Sequence, residues 1–246
     1  MNTTLYNLVV EVTRRCNMRC SHCLRGEPQN KAMKHKHLIN FLKQVDYISD
    51  VTFTGGEPTL PSGIKAIYDF MDVCRMFRVS VGSFYMVTNA KVWRPEIPRL
   101  IVDLYHFCDN NEVSGVDISI DQFHDSIALQ RSAFRRRLND ILWAEIGEDM
   151  VKDRLEIEYE NVLEQGRGRQ YNSGAEYNPE PPTIETYNNE IQIMDGEVYL
   201  NCNGNVVWGC DWSYLDQDKP ENIICHSSRN FVNALQRKYG PIEMEV

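Results

Sequence analysis

Cys16, Cys20 and Cys23 promise chemistry most plainly: three thiols spaced C-x3-C-x2-C on one short stretch. Thiolates so placed can each take one iron of a [4Fe–4S] cube, whereas a structural cluster normally takes four cysteines. Three ligands leave one iron open to an exogenous donor, much as a catalytic metal keeps an open position. A zinc knuckle is the competing assignment, with His22 as its fourth ligand.

Further polar groups recur at what read as strand ends. Thr54-Gly55-Gly56-Glu57-Pro58 offers two glycines that let backbone approach a ligand, and a carboxylate able to accept bonds from a bound ammonium. Val87-Thr88-Asn89 ends a third strand, and Asp117-Ile118-Ser119-Ile120-Asp121 a fourth. Alternation puts Asp117, Ser119 and Asp121 on one face. Gly166-Arg167-Gly168-Arg169 supplies guanidinium forks suited to a carboxylate.

In this order, and around the text EVTRRCNMRCSHCLRGEP, these segments resemble the radical S-adenosylmethionine (SAM) superfamily. The resemblance implies that Cys16, Cys20 and Cys23 hold one [4Fe–4S] cluster whose open iron binds the amino and carboxylate groups of SAM. It sets His22 against the adenine, Gly55-Gly56-Glu57 at the SAM amino group and Asn89 near the ligand. Ser119 and Asp121 fall to the ribose, and Arg167, in preference to Arg169, to the carboxylate. An electron from an external flavodoxin- or ferredoxin-like donor would cleave SAM to methionine and a 5′-deoxyadenosyl radical that abstracts hydrogen from a substrate. A peptide or protein is the first expectation for that substrate, by analogy with twitch and SPASM relatives. A small molecule or nucleotide is the second, and a non-catalytic metal-binding protein is the rival from another class.

The elements that must position these groups alternate. Leu5 to Val12 reads as a strand, Leu38 to Ile48 as a helical stripe, and Val51 to Thr54 as a strand. Ile64 to Cys74 follows as a helix, Val79 to Thr88 as a strand, and Ile97 to Cys108 as a helix opened by Pro95. Val116 to Asp121 is the fourth strand, a helix carries Phe134, Leu138, Ile141 and Leu142, and Leu155 to Tyr159 is the fifth strand. Repeated βα units imply a mostly parallel sheet, with function at the carboxyl ends of its strands. The family resemblance makes this a partial (β/α)6 TIM-like barrel over residues 1–165. A small β-hairpin-rich extension over 166–246 follows. In that extension Asp195-Gly196 and Asn203-Gly204 signal two hairpin turns in a meander from Ile191 to Cys210, before a last helix from Phe231 to Tyr239.

Cys202, Cys210 and Cys225 are candidates for a second metal site, an auxiliary Fe–S cluster or zinc. Strand geometry argues against the first pair: with a three-residue turn, Cys210 would lie opposite Val198, roughly 13 Å from Cys202. Cys74 and Cys108 continue apolar helical stripes and read as buried thiols. Trp208 and Trp212 read as hairpin core, and Arg135-Arg136-Arg137 as a solvated face.

Composition sets the outer bounds. A chain of 246 residues with 42% hydrophobic and 25% charged residues is ordinary globular protein. A net charge of −9 disfavours duplex nucleic acid and anionic membranes as partners. The first residues lack a cationic start, and no stretch is long enough to span a bilayer. A cytoplasmic protein with reduced thiols is therefore expected.

Overall fold

The computed structural model describes residues 2–154, 162–187, 190–239 and 243–244. Its first half is a βα repeat: β1 (Asn2–Thr13), α1 (His35–Leu42), β2 (Tyr47–Gly55), α2 (Pro61–Phe77), β3 (Ser80–Thr88) and α3 (Glu96–Phe107). Next come β4 (Gly115–Ser119), a 3-10 turn over Gln122–Ile127, α4 (Ala128–Ile146) and β5 (Val151–Arg154). β1 to β5 pair in parallel and in sequence order, and the sheet does not close among the described residues. This is the unclosed α/β half-barrel expected. The fifth strand expected at Leu155–Tyr159 lies outside the described residues apart from the preceding β5.

Alternation along β1 decides which side is core. Leu8, Val10 and Val12 join the main apolar cluster with the buried faces of α1 to α4, whereas Val9 packs on the opposite face with Tyr199 and Val207. The helical stripes are as expected in α2, where Ile64, Ile67, Met71 and Cys74 are buried, and in α3, where Ile97, Leu100, Ile101 and Leu104 are buried. One boundary differs. The stripe read from Leu38 to Ile48 is not one helix: α1 ends at Leu42, and Ile48 sits inside β2 opposite Leu5. Two apolar elements meeting across a short connection imitate one longer helical pattern.

The second half extends the same sheet. β6 (Thr183–Tyr187) and β7 (Glu190–Met194) are an antiparallel pair, and β7 then lies parallel to the start of β1. β8 (Val198–Leu200) lies parallel to the middle of β1, so β7 and β8 share one edge. Asp195-Gly196, expected as a hairpin turn, is instead an in-line interruption between two strands running the same way. Asp195 at φ 52° and Gly196 at φ 128° absorb the extra residues there. Asn203-Gly204 does turn a hairpin, from β8 into β9 (Asn205–Trp208), with β10 (Ile223–His226) beyond. α5 (Phe231–Tyr239) has the expected bounds, and β11 (Glu243–Met244) pairs with β6. None of the described helices is long and apolar enough to cross a membrane.

His37, at the start of α1, is buried beneath the Gly204 turn and faces Ser227 and His226. Burial, reinforced by His226, Lys36 and Lys34, lowers its pKa to about 4. The unfolded chain, at about 6.5, therefore takes up a proton that the folded one refuses. Stability contributed by neutral His37 is present above about pH 6.5 and is lost as pH falls toward 4, at up to about 1.4 kcal/mol per pH unit. Urea titrations between about pH 7 and 5 should show a shallower pH slope in His37→Gln than in the wild type.

Candidate active site

The cysteine loop leaves β1 at its carboxyl end, where the ends of β2, β3 and β4 converge. Cys16, Cys20 and Cys23 line one cavity of about 250 Å³. The same walls contain His22, Gly55, Gly56, Glu57, Asn89, Ser119, Asp121 and Arg167, so every residue singled out for the first site faces a single space. Arg169 does not line it; its side chain is 61% exposed and reaches toward Asp216.

Backbone contacts fix the loop before any ligand does. Gly56 N–H donates to the Thr13 carbonyl at 2.7 Å, and Glu57 N–H to that of Arg15 at 2.9 Å. A Cβ on Gly55 would collide with the Thr13 carbonyl, and one on Gly56 with that of Arg15. These glycines thus admit β1 and the cysteine loop, a closer reason for them than room for a ligand. Gly166, at φ 53°, plays the same part on the far side, where a Cβ would strike the Leu24 and Cys23 carbonyls. There Arg167 N–H donates to the Cys23 carbonyl at 3.0 Å.

Glu57, read as an acceptor for an incoming ammonium, lines the cavity, is almost wholly buried and accepts four bonds from the protein. Oε1 accepts from Thr59 N–H at 3.1 Å, Thr59 Oγ1 at 2.5 Å and Thr88 Oγ1 at 2.7 Å, and Oε2 from Asn89 N–H at 2.8 Å. Glu57 is thus a brace from the end of β2 to the end of β3, with three of its bonds on Oε1 and one on Oε2. Asn89, held by it, bonds Asn17 at 2.9 Å and points its amide toward Cys16 Sγ at 3.9 Å.

Asp121 also differs in place. β4 ends at Ser119, and Asp121 opens the 3-10 turn by accepting Phe123 N–H at 3.0 Å. Its Oδ1 lies 2.6 Å from His124 Nδ1, and His124 Nε2 lies 3.3 Å from Cys20 Sγ. Burial opposes a charge on His124, but the bonds to Asp121 and Cys20 outweigh it and hold its pKa at about 9. Sequence reasoning missed His124, although its spacing three residues beyond Asp121 was the available signal. Arg25, Arg154, Asp211 and Tyr214 also line the cavity and carry no recognisable motif.

A cluster with a bound ligand fits these residues on three counts. Three cysteines line one cavity, and two buried side-chain atoms of residues there, His22 Nδ1 and Arg167 Nε, have no hydrogen-bond partner within the protein. His22 is stacked on Phe123 at 4.0 Å, and burial lowers its pKa to about 4, so it presents a neutral ring. Burial, with the nearby charges of Glu57, Cys23 and Cys20, pushes the Cys16 thiol up to about 11. Ligation must displace that proton, so cation binding and thiol ionisation are coupled.

The carboxyl-terminal cysteines are not drawn together. Cys202 is buried in the hairpin turn and donates to the Glu11 carbonyl at 3.1 Å, while Cys225 stands on β10 opposite Val206. Trp208, not Cys210, faces Val198, so Cys210 lies past the paired part of the hairpin. Among the described residues, the one close grouping of three His, Cys, Asp or Glu ligand atoms is His22, Asp121 and His124.

Fold and site together define a half-barrel protein that gathers three thiols and a ring of polar groups at the carboxyl ends of its strands. Residues 10–146 match the Radical SAM superfamily, and the chain belongs to it. That family uses a [4Fe–4S] cluster and SAM. Among curated relatives, the sporulation killing factor maturation protein SkfB of Bacillus subtilis is 25% identical over 136 residues, 54% of this chain and 31% of that protein. The S-adenosylmethionine-dependent nucleotide dehydratase of Selenomonas ruminantium is 24% identical over 160 residues, 56% of each chain. The chain thus spans between 31% and 56% of the length of these relatives. Among solved structures, a histidine-tagged anSMEcpe with bound AdoMet shares the fold at TM-score 0.54 and 13% identity, over 94% of this chain and 80% of that one.

Gly56→Ala should destabilise the protein by about 1–3 kcal/mol, because backbone rather than a flexible side chain stands in the way. Denaturant titration checks this, with Gly147→Ala as a comparison. Gly147 has open space around its Cβ position, so its cost arises only from its left-handed backbone.

Proposed function

We propose that this chain is a radical SAM enzyme in which Cys16, Cys20 and Cys23 hold a [4Fe–4S] cluster with one iron free for SAM. The observation that carries the reading is that the three thiols share one cavity with polar groups from the ends of β2, β3 and β4. Held there, such a cluster would supply the one-electron reductive cleavage of SAM, with an external donor's electron, to methionine and a 5′-deoxyadenosyl radical able to take hydrogen from a substrate. The protein's own part is to bind, orient and enclose.

His22, neutral and stacked on Phe123, offers a flat face and a free Nδ1 to an adenine. Ser119 and Asp121, both in the cavity wall, are the groups assigned to the ribose hydroxyls. Arg167, whose Nη1 is 3.5 Å from Glu27, keeps an unpartnered Nε for a carboxylate. Gly55, Gly56 and Glu57 shape the wall for the amino group, with Glu57 acting through the Asn89 backbone it fixes.

A peptide or protein substrate is the first reading, supported by SkfB, a maturation protein by name. A small charged molecule such as a nucleotide is the second reading, supported by Arg25, Arg154 and Asp211 beside Arg167 in the cavity wall and by a nucleotide dehydratase among the relatives.

After anaerobic reconstitution the chain should carry one cluster's worth of iron and no zinc, and should form 5′-deoxyadenosine from SAM and dithionite. Cys16→Ala, Cys20→Ala and Cys23→Ala should each abolish that product. A colourless, redox-silent preparation would instead mark a closed zinc site. Parallel incubations with peptides and nucleotides, read by mass, separate the two substrate readings.

A further inference from the structure

The cysteine loop is bracketed by two arginines that no cluster ligand explains. Arg14 lies two residues before Cys16, and Arg25 two residues after Cys23. Both reach into the second half of the chain, Arg25 while also lining the cavity. Arg14 is fully buried; its Nε pairs with Glu11, Nη1 donates to Asp218 at 3.1 Å, and Nη2 donates to Gln217 at 2.9 Å. Its guanidinium also lies 4.6 Å from the centre of the Tyr214 ring.

Arg25 makes the matching contacts on the other flank. Its Nη1 donates to the Trp212 carbonyl, its guanidinium sits 5.1 Å from the centre of the Tyr199 ring, and its own carbonyl accepts Tyr214 N–H at 3.1 Å. One small circuit joins the two flanks. Tyr199 OH donates to Glu11 Oε2 at 3.3 Å and accepts from Gln217 Nε2 at 3.2 Å. Gln217 Nε2 also reaches the Trp212 carbonyl at 3.2 Å.

Buried charges are retained only where paired and bonded, and such networks hold one arrangement strictly. We infer that Tyr199 and the strap from Trp212 to Asp218 form a clamp on the cysteine loop. Arg14 and Arg25 are the positioning residues through which the clamp sets the spacing of the thiols and the field they experience. This rests on the cluster reading above. Arg14 is committed to two carboxylates, Glu11 and Asp218. Arg25 hydrogen-bonds a neutral carbonyl, with the carboxylates of Glu11 and Asp211 nearby, and it lines the cavity itself, so its charge adds to the field at whatever the thiols bind. A nearby buried cation favours the more negative, reduced state of a cluster and raises its potential.

The test uses the full chain, reconstituted anaerobically, and reads midpoint potential, the electron paramagnetic resonance of the reduced cluster, and iron lost on exposure to air. Arg25→Met should make reduction about tenfold harder, a midpoint about 59 mV more negative for one electron, and Arg25→Lys should restore most of it. Tyr199→Phe and Gln217→Leu keep both arginines and remove only bonds of the circuit. They should load with iron, give an altered resonance and lose iron several-fold faster than the wild type. These two variants keep the test open should Arg25→Met fail to fold. Wild-type potential, resonance and iron retention in the variants would overturn the clamp while leaving the cluster reading intact. A wild-type chain that takes up no iron would overturn the cluster reading, and the clamp with it.

Discussion

The geometry of the site depends on one constraint: backbone must approach backbone where the cysteine loop leaves β1. The turn after β2 and the segment around Gly166 press against that loop from two sides. Neither approach tolerates a side chain at Gly55, Gly56 or Gly166. Peptide groups rather than side chains therefore set the floor of the cavity, and peptide geometry is stiff. Thiols mounted on such a floor are held in relative position before anything binds them. That preorganisation is what a loop of otherwise ordinary residues needs in order to act as a metal site.

Around this floor, the polar residues divide into braces and free ends. Glu57 accepts from Thr59, Thr88 and Asn89, and so ties two strand ends together. His22 and Arg167 instead leave a buried nitrogen unpaired. The free ends are the more informative, because an unsatisfied buried donor or acceptor is costly unless a ligand completes it.

Much of this was legible in the sequence, and the misses have physical causes. The cysteine spacing, the Gly-Gly-Glu turn and the polar strand ends are local patterns, and local patterns survive into the fold. β1 to β4 and α2, α3 and α5 were likewise readable from apolar periodicity. Ile48 misled because α1 and β2 meet with their apolar positions in helical step. Asp195-Gly196 misled because a turn-favouring pair also suits an interruption in a continuing edge, and only the partner strand decides between them. The Cys20–His124 and Arg14–Gln217 contacts were out of reach, since each depends on residues brought together by the tertiary fold across 104 and 203 positions of chain.

The pairing of β1 with β7 and β8 carries a kinetic consequence. Asn2 finds its partner at Glu190, and Val10 finds its own at Leu200. β1 can therefore complete only one of its edges until the segment from Glu190 to Leu200 has been synthesised. Such high contact order slows folding and leaves an unpaired edge open to misassociation in the meantime. During that interval the cysteines, already emerged, stand on a loop that still lacks its contacts to Tyr199 and to the strap from Trp212 to Asp218, so orderly metal loading belongs after that later segment has docked.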